Sequence, residues 1–197
     1  MRTMKFTLAV LVAVATVAGL PAAAKDEYQV GERLGKSAAG KTGDFREISW
    51  DDLIPADWNP EKFFAGLKIE DLKDSDPRTL EVMQKIRDEW DRAPLVTRFN
   101  GQQVRIPGFI VPLETDGKRI REFLLVPYFG ACVHVPPPPA NQLIHVMPDK
   151  PVDARLEMAP VWVNGVLNVA RFESDMGNAG YQMRGIRVEE YKEAMPK

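Results

Sequence analysis

From residue 94 onward, apolar positions come in short runs cut at intervals by turn residues. Residues 95–99 read as a strand, and Asn100-Gly101 behind them is a hairpin signal, because both residues tolerate positive φ. Residues 103–113 alternate apolar with polar, interrupted at Pro107-Gly108, where a bend or bulge is expected. Thr115-Asp116-Gly117-Lys118 makes a second turn and 122–128 a third strand. Further strands are predicted over 143–147, over 159–172 (one strand, or two split by a turn at Asn164-Gly165) and over 185–191. Short strands joined by tight turns point to a mainly β (α+β) fold, a small antiparallel OB-like barrel.

The pattern before Pro94 is different. Ser75-Asp76-Pro77 combines cap residues with a proline suited to the first helical position. Leu80, Met83, Ile86 and Trp90 then recur at helical spacing, which predicts a helix over 77–92, packed alongside the barrel with Met83 and Trp90 as core contacts. Upstream, Trp50, Leu53, Ile54 and Trp58 sit in a mixed segment suited to covering an edge of the core. Residues 25–45 are polar, rich in Gly, Lys and Ala, and without period, as expected of a flexible N-terminus. The expected division is therefore a signal peptide over 1–24, a flexible N-terminus over 25–45, a helical extension over 46–93 and the barrel over 94–197.

The first 24 residues fit a targeting leader. Arg2 and Lys5 supply a basic start, residues 6–20 are apolar without a charge, and Pro21-Ala22-Ala23-Ala24 gives the small-residue cleavage pattern. Cleavage before Lys25 is expected, leaving a periplasmic protein with no stable membrane insertion. No cysteine follows the apolar run, which speaks against a lipid anchor. The net charge of −2 lacks the basic footprint of a nucleic-acid binder. With one cysteine, no intrachain disulfide can form in an oxidising compartment.

That cysteine changes the picture. Cys132 and both histidines of the chain, His134 and His145, fall within fourteen residues, divided by the stiff run Pro136 to Pro139. One thiolate and two imidazoles suit zinc or copper, and three ligands would leave a fourth position open. On extended backbone Cys132 and His134 would share a face. Two other uses of the block stay open. Cys132 and His134 could form a thiol nucleophile and its base, with Asn141 as orienting group. Alternatively, the tetraproline loop could be presented to an aromatic-lined groove of a partner, in a purely interacting module. No phosphate loop or serine nucleophile elbow is present.

Residues 100–113, the run from Glu122 through Cys132 and His134, the four prolines and Asn141-Gln142 together closely resemble an exported bacterial family. It is the one catalogued as domain of unknown function 3299. Residues 50–55 and 160–165 fit it as well, so the resemblance spans nearly all of the chain beyond the leader. It implies an envelope protein, often a lipoprotein, encoded beside ABC transporter genes of the lipoprotein-releasing or macrolide-exporter type. In some bacteria the neighbourhood looks zinc-responsive. An envelope ABC transporter is the partner the resemblance implies, and the protein is expected to be an accessory rather than an enzyme.

Overall fold

The computed structural model describes residues 28–34, 43–59, 78–132 and 137–191. The leader, the expected helix cap at Ser75-Asp76-Pro77, and His134 lie outside them.

Seven strands and one α-helix make up the described fold: β1 (Arg46–Glu47), α1 (Arg78–Asp91), β2 (Gln102–Thr115), β3 (Arg119–Val126), β4 (Ile144–Pro148), β5 (Val152–Asp153), β6 (Pro160–Phe172) and β7 (Ala179–Glu190). Five of them close on themselves in the order β2-β6-β7-β4-β3, with β3 returning to β2. Closure depends on the length of β2. Its first part pairs with β6 from Gln102 to Phe109, and its second part with β3 from Phe109 to Thr115. Counted within the barrel, neighbours run first, second, third, fifth, fourth and back to first. This is the Greek-key closure of a small OB-like barrel, as the strand pattern predicts. One seam differs from the antiparallel expectation, since β4 and β7 run parallel. The two short strands lie outside the closed ring, β1 along β2 and β5 along β3.

The alternation in the strands explains the two apolar layers. On β3, Phe123 and Leu125 face the barrel interior with Val104, Ile106, Ile110, Ile144, Val146, Val163, Tyr181 and Met183. Leu124 and Val126 face outward and are nonetheless fully buried, in a second cluster with Phe109, Val111, Ala131, Leu143 and Ala179. A strand covered on both faces reads as an unbroken apolar run, which residues 123–126 are.

Four local expectations about strands and turns are corrected. No strand forms over 95–99, because this stretch is spent on tying the extension to the barrel. The Val96 N–H donates to the Tyr181 hydroxyl at 2.7 Å, and that hydroxyl donates on to the Leu53 carbonyl. Asn100-Gly101 is a turn, but it caps the start of β2 rather than joining a hairpin, with the Asn100 side chain accepting from the Val169 N–H at 2.8 Å. Asn164-Gly165 is not a turn, since β6 continues through it, although the register against β7 shifts there, from Asn164 opposite Arg187 to Gly165 opposite Gly185. A Cβ on Gly165 would stand 2.3 Å from the Arg184 carbonyl oxygen of β7, so the close approach of the two strands at this shift in register requires glycine. Register also continues across Pro107-Gly108; the shifts in β2 fall beyond Pro112.

The 116–118 turn forms as read, with the Asp116 carboxylate accepting from the Lys118 and Arg119 N–H groups and Gly117 at φ 85°. Helix α1 also forms, but no residue in it is buried. Leu80 is 79% and Met83 53% exposed, so the expected core contact of Met83 is not made. The C-terminal end of α1 is held by Arg171, which donates to the carbonyls of Asp91 and Ala93. Among the described residues no helix is long and apolar enough to cross a membrane.

Candidate functional site

Cys132 and His145 lie on the same outer flank of the barrel. The sequence Tyr128 to Cys132 leaves β3 in a tight turn with Gly130 at φ 82° and Cys132 itself at φ 64°. A positive φ is strained for a side chain with a Cβ, and such strain gathers at functional positions. The thiol is half-buried and packs on the outer cluster, whose partly buried members include Tyr128, Phe129 and Phe172. Burial pushes the thiol up to about 12. Burial, and then the neighbouring Cys132, also raise the Tyr128 phenol.

His145 sits in the middle of β4, between Leu124 of β3 and Gln182 of β7. Alternation turns it outward, away from Ile144 and Val146 in the interior. It is nevertheless only 3% exposed. The cover comes from the end of β6, where Phe172 stacks on the imidazole with centroids 3.6 Å apart and planes 9° from parallel. The Gln182 amide donates to the Arg171 carbonyl at 3.2 Å, which fastens that strand end over the site. On the other side Glu122 Oε1 contacts His145 Nε2. Nδ1 is buried and has no hydrogen-bond partner.

The sequence reading missed Glu122 and Phe172. Glu122 could have been found from register alone. It lies two residues before Leu124, the cross-strand partner of His145, so alternation puts it on the same face at the diagonal position. Nothing local in the sequence brings Phe172 to His145, because the contact depends on the strand end folding over.

The other block residues have structural partners. Asn141 donates to the Pro94 carbonyl at 3.2 Å and does not orient a histidine through that amide. Gln142 is buried and donates to the Trp50 carbonyl at 2.9 Å. Pro138 is buried, Pro137 and Pro139 are half-buried, and a Cβ on Gly177 would meet Pro137 at 2.9 Å. The described part of the proline run is thus fitted into the wall rather than presented. Among the described residues no three His, Cys, Asp or Glu side chains converge as a metal-binding group. The expected third ligand, His134, is not among those residues.

The segment before the barrel reaches the same flank. Tyr28 packs edge-on to Phe109 at 5.3 Å, and Gly31 and Glu32 exchange backbone hydrogen bonds with Phe129. Against this geometry, the comparison with known proteins is direct. The model of a family of proteins of unknown function, DUF3299, matches residues 50–190. The chain belongs to the DUF3299 family. A DUF3299 family protein of known crystal structure, from Pseudomonas aeruginosa PAO1, is 34% identical, with a TM-score of 0.61. The match covers 77% of this chain and 99% of that one. No curated protein matches. The DUF3299 region holds Cys132, Glu122, His145 and Phe172, whereas the strap over 28–34 precedes it.

Proposed function

We propose that this DUF3299 protein is an exported periplasmic accessory protein that holds a transition metal ion, zinc or copper, through Cys132, His134 and His145. It would work in the envelope beside an ABC transporter. The observation that carries the metal reading is His145. A buried imidazole with a carboxylate behind one nitrogen and no partner on the other has the arrangement usual for a metal-ligating histidine, whose remote N–H is held by an acceptor. An orphan ring nitrogen in an apolar wall is otherwise costly. The strained backbone at Cys132, on the same flank, supports the thiol as a second ligand. His134, two residues on, would supply the third. Export is supported by the order of basic, apolar and small residues in the leader, and the transporter partner by the resemblance alone.

A thiol enzyme is disfavoured. A cysteine nucleophile needs a lowered pKa, and burial drives Cys132 the opposite way, to about 12. A metal ion would still bind there, because coordination itself deprotonates the thiol. The interaction reading has less support in the described prolines, since Pro138 is buried and Pro137 and Pro139 are half-buried.

Equilibrium dialysis of the mature protein against zinc and copper(I), followed by metal analysis, tests the proposal. One bound ion per chain is expected, with loss of binding in Cys132→Ser, His134→Ala and His145→Ala. Absence of bound metal, or binding indifferent to all three substitutions, would overturn it.

A further inference from the structure

We infer that Glu122 is the positioning residue of this centre, and that it makes Nδ1 of His145 the metal-binding atom. The inference rests on the metal reading above. An ionised carboxylate only accepts hydrogen bonds, so a neutral imidazole facing it must carry its proton on Nε2. The contact of Glu122 Oε1 with His145 Nε2 therefore selects one tautomer and leaves the lone pair on Nδ1. That atom is the one buried without a partner.

The surroundings keep the ring in this orientation. Phe172 lies flat on it, Leu124 and Gln182 flank it along the sheet, and turning the ring over would break the contact with Glu122. Glu122 is held in its turn by β3, whose pairing with β2 sets Glu122 opposite Glu114 and Phe123 opposite Pro112. The side chain is 28% exposed, so the carboxylate keeps contact with water while its partner at 3% does not. A carboxylate on the rim and an imidazole beneath it fix which ring nitrogen faces away from Glu122, and the buried ring has a partner for any charge it carries.

Nitrogen NMR of the two histidines in metal-free protein at about pH 8, where imidazole is neutral, reads the tautomer directly. The Nε2–H form is expected for His145 in wild type and in Glu122→Gln, since the amide oxygen can still accept. Glu122→Leu should give a mixture of tautomers, and zinc affinity should fall roughly 10- to 100-fold while Glu122→Gln stays near wild type. A wild type in the Nδ1–H form, or a Glu122→Leu variant with tautomer and affinity unchanged, would overturn the inference. A wild type that binds no zinc while its tautomer still follows residue 122 would overturn the metal reading instead.

Discussion

The indole N–H of Trp50 donates to the carbonyl oxygen of Pro107 at 2.6 Å, across 57 positions of sequence. Pro107 lies inside β2 and cannot donate to the ladder, so its place in the sheet is secured by the carbonyl and by packing. The bond also fixes the extension, because Trp50 and Leu53 belong to the same buried cluster as the barrel interior. Trp50→Phe keeps an aromatic ring but leaves the carbonyl without its donor. A loss of about 1–3 kcal/mol is expected from the unsatisfied group. Urea unfolding should show it as a lower midpoint at unchanged slope.

Gly165 gives a sharper test of the barrel seam. A Cβ there would stand 2.3 Å from the Arg184 carbonyl oxygen and 2.8 Å from the Met183 side chain. The first contact is backbone, so β6 and β7 must separate. Gly165→Ala should cost about 3 kcal/mol, at the upper end of overpacking. Amide exchange of the β6–β7 ladder should accelerate with it. Stability unchanged by the substitution would mean the two strands do not approach as described.

How much was legible follows the range of the interaction. The 116–118 turn is local chemistry, an aspartate bonding the next amides and a glycine at positive φ, and it was readable. The helix was readable too, but its burial was not, because spacing gives a stripe without saying what covers it. Leu80 and Met83 form such a stripe and stay exposed. Asn164-Gly165 carries the dipeptide of a turn, while the deciding fact is the backbone of β7 lying against it. At the site, Cys132 and His145 stood out for their rarity. Glu122 and Phe172 are common residues that matter only through register and a strand end folding over.

Asp52 supplies a prediction in pH. It closes a capping box with Ser49, whose N–H and hydroxyl each reach its carboxylate at 2.9 Å, and it pairs with Arg98 at 2.9 Å. Burial alone would raise its pKa; the Ser49 hydrogen bonds and the charges of Arg98 and Arg46 outweigh this and lower it below 3.8. A depressed carboxylate stabilises the fold above its unfolded pKa and ceases to do so as pH falls through its folded one. Asp52→Asn should therefore be less stable than wild type at neutral pH. The gap should close as the pH is taken below about 4. Thermal melts of both proteins across that range check the sign.

Cys132 separates packing from ligation most cleanly. At φ 64° the backbone there suits glycine better than cysteine. Cys132→Gly removes strain of about 1–2 kcal/mol. Against this it loses the thiol's contacts with the outer cluster and adds freedom to the unfolded chain, together about as much. Melting temperature should move by only a few degrees, while metal capacity disappears. Alkylation is the wrong readout for this comparison. Burial raises the thiol's pKa and so disfavours the thiolate, and metal-free Cys132 should already react slowly. Cobalt(II) substitution is the better probe, because a sulfur ligand adds a charge-transfer band in the near ultraviolet. That band should be present in wild type and absent in Cys132→Gly. A cobalt-loaded wild type without it would remove Cys132 from the ligand set, whatever the histidines do.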